Sequence, residues 1–421
     1  MSYRHQLSCG IRVVGEEIPF LRSVAIGIWV GTGSRFETRQ NNGVSHFLEH
    51  MFFKGTQRYS AKALAEVFDG LGGQVNAFTS KEYTCFYSRV LDEHFSVAVD
   101  TLADMIQNST FAAEEIDKER RVVIEEIRMY EDTPDELVMD MLAQGVYGEH
   151  PLGYTILGEE ENLRNFSRND LVDYIAEHYR PEDIVISVAG NVSRERAIEV
   201  LEQTFHPSNS GSTRTGAIVS PKFSTSVSVR SKDIEQVHVA LASPGLPAGH
   251  EDMFALILLN NALGNNPSSR LFQEIREERG MAYSVFSYHS SYRDCGMFGI
   301  YAGTSPENVE EVLRLIGECV ESFAVDGMTE HELEKGKEQL KGSMMLGLES
   351  TSSRMSRLGK NELLLGRMIP IEETLQAIER VTVSDILRVA KTVLKHPFAV
   401  SAVGPIEESM IVSGMQWAPV S

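Results

Sequence analysis

Two histidines and a glutamate stand close together in Gly43-Val-Ser-His46-Phe-Leu-Glu49-His50-Met-Phe-Phe-Lys-Gly55, an apolar-rich run bracketed by glycines. On a helix, His46 and His50 lie one turn apart on one face and Glu49 projects beside it. Two imidazoles at that spacing can hold one Zn²⁺, and the neighbouring carboxylate can then take a proton from water. The competing reading is a helix whose histidines only edge an apolar face. Two ligands do not decide between them, so a third is needed.

The best candidates lie on the helix-like stretch 114–130. Glu119 and Glu126 are seven residues apart, two turns, and share a face that Val122 and Val123 border. A carboxylate among apolar neighbours needs a partner when buried, and a metal is a strong one. Glu125 reads instead as one charge on a solvated helix. A further element is the run 72–87, where two glycines feed an alternating strand through Asn76 and Ala77. Such a strand could offer an edge to an extended peptide.

The elements that must position these groups follow from periodicity. Residues 24–30, 84–90, 184–188, 237–241, 296–301 and 398–403 read as strands. Residues 94–108, 113–130, 307–323 and 330–348 read as long helices. Strands mixed with several long helices predict an α+β layered fold.

The two halves echo one another. Residues 167–171 open a helix that stops before Pro181, and a strand then runs into Gly190; residues 383–387 open a matching unit that ends at Pro397 and Gly404. Glu115-Ile-Asp-Lys118 matches Glu332-Leu-Glu-Lys335 in the same order. Two echoes in register argue for a duplication. The polar run Pro207 to Gly216 reads as the linker, dividing the chain into 1–206, 207–216 and 217–421. The alignment sets Gly336 opposite Glu119 and Ser343 opposite Glu126, and the second half has no HxxEH. One metal site per chain is therefore expected, in the first half.

Composition narrows the function classes. Of 421 residues, 60 are acidic and 39 basic, for a net charge of −21, which argues against a nucleic-acid binder. A hydrophobic fraction of 42% with 24% charged residues fits well-packed domains rather than extensive disorder. Cys9, Cys85, Cys295 and Cys319 form no short-spaced pair and suit a reducing compartment. The N-terminus has no apolar core of a secretory signal, and the apolar run 24–30 is far too short to span a membrane. A cytoplasmic protein without a membrane span is the expectation.

With these residues in view, the chain resembles the M16 zinc metallopeptidases, the group of pitrilysin, insulin-degrading enzyme and the mitochondrial processing peptidase β subunit. Its size resembles the bacterial processing-protease branch. HxxEH is the mirror of the HExxH zinc motif. The resemblance implies that His46, His50 and Glu126, which follows His50 by 76 residues, bind one Zn²⁺. It further implies Glu49 as general base and Glu119 as an assisting acid. It implies that Arg276 and Tyr283, seven residues apart, bind substrate and stabilise an oxyanion, with Asn76 and Ala77 near the cleavage point. The implied fold is two homologous α/β domains, each a mixed, mainly antiparallel sheet packed with helices, a LuxS/metallopeptidase-like duplication facing across a cavity. The implied activity is hydrolysis of peptides or unfolded polypeptide segments by a homodimer. The rivals are a non-catalytic scaffold or peptide-binding subunit of the same family, and a clamp that keeps zinc structurally.

Overall fold

Apolar runs with strand periodicity assemble into two sheets in a computed structural model that describes residues 2–206, 219–394 and 397–417. The run Pro207 to Gly216 lies outside the described residues. The first sheet contains β1 (Ser2–Gln6), β2 (Arg12–Glu17), β3 (Ser23–Val30), β4 (Gln74–Thr79), β5 (Thr84–Leu91) and β6 (Ile184–Gly190), in the order β1-β2-β6-β3-β5-β4. The second contains β7 (Val227–Ser231), β8 (Val237–Gly245), β9 (Ala282–Ser291), β10 (Gly296–Thr304) and β11 (Ala399–Gly404), in the order β7-β11-β8-β10-β9.

The duplication is visible in this topology. Leaving aside β1, both sheets run through the same strand order with one parallel pair, β2 with β6 and β7 with β11, and antiparallel pairing elsewhere. The capping signals echo as well. Ser167 and Asp170 close a capping box before the helix Arg168–His178, and Thr382 and Asp385 close another before Val383–Val393. The strand that follows each helix ends on a positive-φ glycine, Gly190 or Gly404.

The chain forms two compact units, α+β in each case. One gathers Met1–Arg128, Tyr154–Ile218 and Met345–Ile369; the other gathers Met129–Gly153, Val219–Met344 and Pro370–Ser421. Each unit thus contains a helical stretch from the opposite half of the sequence. The helices bearing on the argument are α1 (Val44–Met51), α2 (Ala61–Gly70), α3 (Phe95–Asn108), α4 (Ala113–Glu131) and α5 (Pro134–Tyr147).

Both faces of the first sheet are buried, which explains why β3 and β6 are apolar almost throughout. One face packs on Phe47, Leu48, Leu102 and Val123 from α1, α3 and α4. The other face places Trp29, Cys85 and Val185 against Met355, Leu358 and Leu363 of the helix Thr351–Leu365. That helix is also fastened by charge. The buried Glu362 carboxylate accepts from Arg4 at 2.7 Å and Arg12 at 3.1 Å. The second sheet is covered in a matching way, with Val138, Leu142 and Val146 of α5 on Ala240, Ala242 and Ala399.

Gly359 allows a very close approach in the first unit, since a Cβ there would sit 2.1 Å from Trp29 Nε1. Trp29 is immobile because its indole donates to Ser187 Oγ at 2.8 Å inside the core. Gly359→Ala would gain about 1 kcal/mol of helix propensity but meets an overpacking cost of about 1–3 kcal/mol. The second effect wins because the neighbour is a fully buried ring. A lower urea midpoint is expected, and an unchanged or raised midpoint would refute this packing argument.

Candidate metal centre

The metal-ligand candidates depend first on how α1 begins. Gly43, its N-cap, has φ +99° and supplies no side-chain cap. The missing acceptor comes from upstream. Glu37 accepts from Gly43 N at 2.8 Å, Ser45 N at 2.9 Å and Asn42 Nδ2 at 2.9 Å. A carboxylate there also faces the positive end of the helix dipole. Burial pushes the Glu37 carboxyl above its ordinary value, against the pull of these donors. Gly43 must be glycine for a second reason, because a Cβ would lie 2.7 Å from Gly158 Cα. The loop ending at Gly158 therefore seats the start of α1.

From this base α1 directs His46 and His50 the same way, with ring centroids 4.6 Å apart. α4 brings Glu126 to them and is itself held by Arg120, which donates to the carbonyls of Leu163 at 2.9 Å and Phe166 at 2.8 Å. Glu126 lies 3.8 Å from His46 Nε2 and 3.6 Å from His50 Nε2. Those separations are too long for hydrogen bonds. They approach the ~3.4 Å expected between two ligand atoms of a tetrahedral ion with bonds of about 2.0–2.1 Å. One atom from each of the three residues lies within 4.8 Å of the others, and they form the single such group of His, Cys, Asp and Glu found among the described residues. The donor set and its spacing fit a zinc ion.

Electrostatics suit the same assignment. Burial, with His50 as a second cause, pushes His46 down to about 3, so it is a neutral imidazole at neutral pH. His50 Nδ1 donates to Glu119 Oε1 at 2.8 Å, which leaves Nε2 facing Glu126. Lys54 anchors the other Glu119 oxygen at 2.6 Å. Burial opposes the charge on Glu119, but the His50 N–H and Lys54 outweigh it and hold the carboxyl below its ordinary value. Burial likewise opposes charge on His50, yet the bond to Glu119 and the nearby carboxylates raise it above its ordinary value. Glu49 is raised, chiefly by burial, while Thr79 Oγ1 donates to its Oε2 at 2.6 Å and pulls the other way.

The structure thus brings His46, Glu49, His50, Glu119 and Glu126 together. Asn76 joins them, lining a cavity of about 410 Å³ with Glu49, His50 and Glu119. Ala77 is buried beside Asn76 on β4, the edge strand of its sheet. Arg276 and Tyr283 belong to the second unit, where the guanidinium lies 5.1 Å from the Tyr283 ring centroid and 4.7 Å from that of Phe272. Arg276 sits in a π-helical turn, Phe272–Glu278. One detail of the α4 face differs from expectation: Val123 is buried but Val122 is half exposed, so only one valine borders the buried side. Glu125 pairs with Arg128 in solvent. Glu37, Lys54 and Thr79 escaped the sequence reading because each acts through a contact that no local motif announces.

Two topologically matched α+β units, one bearing a His-His-Glu cluster with a further glutamate beside it, define a two-unit protein with one candidate metal centre among the described residues. Comparison with known proteins agrees. Residues 12–160 match the family described as insulinase (peptidase family M16), and residues 165–340 match the peptidase M16 inactive domain. The chain is 50% identical over 405 residues to YmxG of Bacillus subtilis (strain 168), covering 96% of this chain and 98% of that one. It is 39% identical over 412 residues to a protein of Streptomyces coelicolor, covering 96% and 90%. Both are described as uncharacterised zinc proteases. The chain belongs to peptidase family M16. Its fold is shared with the M16 inactive domain structure from Pseudomonas fluorescens (TM-score 0.90, 22% identity, 97% and 98% covered). It is also shared with a protease from Helicobacter pylori (TM-score 0.87, 23% identity, 96% and 99% covered).

Two predictions concern the site without turnover. Glu37→Gln turns one acceptor into a donor facing backbone N–H groups, a loss of about 1–3 kcal/mol. It should lower the melting midpoint and zinc occupancy together, and unaltered occupancy would argue against the capping role. In the metal-free protein, the lowered Glu119 contributes stability above its ordinary 4.5 that is lost as pH falls through its folded value. The raised His50 contributes below 6.5 and loses that contribution as pH rises through its folded value. His46, Glu37 and Glu49 also titrate across this window, so the pairing is read from a difference: the gap in urea midpoint between wild type and Glu119→Gln should be largest between 4.5 and 6.5 and shrink on either side, and a gap independent of pH would refute it.

Proposed function

We propose that this chain is a zinc-dependent metalloendopeptidase that hydrolyses peptides or unfolded polypeptide segments, with one zinc per chain. The observation that carries this reading is the convergence of His46, His50 and Glu126 with a separate carboxylate, Glu49, left free of the ligand set. A purely structural zinc would take four protein ligands, and three are assembled here. Zinc held by these three would supply Lewis acidity toward water and toward a peptide carbonyl.

The chain's own groups account for the rest. Glu49 accepts the proton from the attacking water and returns it to the departing amine, which suits a carboxyl raised toward neutral pH. Glu119 fixes the ring of His50 through Nδ1 and so presents Nε2 inward. Beside Glu49 the cavity is walled by Phe53, Leu64, Phe68 and Val75, so an apolar side chain next to the scissile bond is the expected preference. Asn76 and Ala77 on the edge strand hold the peptide main chain, and Arg276 and Tyr283 bind substrate. The functional protein is proposed as a homodimer, which sizing in solution tests directly. A non-catalytic scaffold is the weaker reading, since every member of the ligand and base set is in place.

Metal analysis and cleavage of a panel of unstructured peptides test the proposal. Glu49→Gln should keep about one zinc per chain and lose about 10²–10⁴ in rate. A wild type that retains zinc yet cuts nothing in the panel would sink the enzyme reading. Glu126→Gln should lose zinc while Glu125→Gln keeps it, and equal losses would overturn the ligand assignment. Arg276→Ala and Tyr283→Phe should weaken cleavage without changing metal content.

A further inference from the structure

Thr79 stands where the edge strand meets the base. It is the last residue of β4, and its hydroxyl donates to Glu49 Oε2 at 2.6 Å. A hydroxyl has one proton to give. The nearest other hydroxyl, Thr84 Oγ1, lies 3.5 Å away and donates its own proton to the Thr32 carbonyl at 3.1 Å. Between a carboxylate oxygen at 2.6 Å, which can only accept when ionised, and a hydroxyl at 3.5 Å, the Thr79 proton goes to Glu49. Thr84 is fully buried, and Thr32 Oγ1 continues through Tyr174 Oη, at 3.2 Å, to Ser45 Oγ on α1, at 2.9 Å. The contact with Glu49 is therefore braced from both the sheet and the first turn of the metal helix.

The backbone at Thr79 has a second role. Ser80 N donates to Tyr83 O at 2.8 Å across the turn that joins β4 to β5. Antiparallel alternation then turns the N–H and C=O of Thr79, Ala77 and Val75 away from β5, with the Thr79 N–H acting on the Glu49 carboxyl and the groups of Ala77 and Val75 facing the open edge. Ala77 N marks that direction, since within the chain it is met at 2.8 Å by the side chain of the adjacent Asn76 rather than by a strand.

We infer that Thr79 is a positioning residue that ties the peptide-binding edge to the base: its hydroxyl engages Glu49 Oε2 and so aims the carboxylate, while its main chain is the end of the edge strand that receives substrate. This rests on the peptidase reading above. The register of a bound peptide and the aim of the carboxylate are then set by one residue.

The test compares Thr79→Val, which keeps shape and removes the donor, with Thr79→Ser, which restores it. Thr79→Val should lose at least tenfold in kcat with KM, zinc content and melting midpoint close to wild type, and Thr79→Ser should recover to within a few-fold. A Thr79→Val enzyme within twofold of wild type, or a Ser variant as impaired as Val, overturns the inference. Infrared difference spectra give a readout without turnover. Thr79→Val should shift a carboxylate stretch in the zinc-loaded wild-type background and not in the Glu49→Gln background. No shift in either overturns the contact. A shift without any cleavage by the wild type overturns the peptidase reading alone and leaves Thr79 as the residue that orients Glu49.

Discussion

Glu37 reaches α1 from the preceding loop and accepts three hydrogen bonds where the helix starts. An eight-residue helix that exposes no cap of its own would fray from that end. Its first buried histidine is the third residue in, so fraying would scatter the ligand set. The cost of burying Glu37 is visible in its raised carboxyl, and the donors around it are what make that burial tolerable. Every later feature of the centre assumes this fixed start: the direction of His46 and His50, the placement of Glu49 against β4, and the approach of Glu126 from α4.

A site that must hold three ligands to within a fraction of an ångström needs a stiff platform. The first sheet supplies it by being covered on both faces. The second covering layer comes from Thr351–Leu365, whose small residue at Gly359 lets Trp29 lie against the helix backbone and whose Glu362 ties Arg4 and Arg12 to it. The second unit repeats the arrangement with α5. The shared strand order and shared capping boxes point to one ancestral layer plan, of which one copy holds the His-His-Glu cluster.

What sequence could reveal divides along the range of the interactions. Periodicity and turn residues are local, so the strands ending in Gly190 and Gly404, the capped helices before them and the long α4 were all legible. The HxxEH spacing is local as well. Choosing Glu126 over Glu125 needed the family, because adjacent glutamates on a charged helix look alike until one points inward; the structure separates them by pairing Glu125 with Arg128 in solvent. Val122 misled for the same reason, as one residue of helical phase is hard to fix from a pattern. Helix exchange between the units leaves no local mark, since an amphipathic stretch does not say which sheet it will cover. Glu37, Lys54 and Thr79 were illegible because their partners lie 5 to 65 residues away and are polar groups in otherwise ordinary segments.

Four carboxylates around one short helix show how environment assigns roles to a single side-chain type. Glu37 is buried against backbone donors and serves as a cap, its carboxyl raised by burial against their pull. Glu119 has a cation and an imidazole N–H on its two oxygens, so it stays ionised and orients His50. Glu126 keeps its oxygens turned to two imidazole nitrogens at distances that only a third body between them can bridge well. Glu49 is buried with only Thr79 donating to it, through hydroxyl and backbone N–H, enough to aim it and too little to hold its proton affinity down. Groups pushed in opposite directions within one cluster are the expected mark of separated acid–base duties. Of the four, only Glu49 combines a raised carboxyl with a place in the cavity wall, and that combination is what a proton acceptor requires.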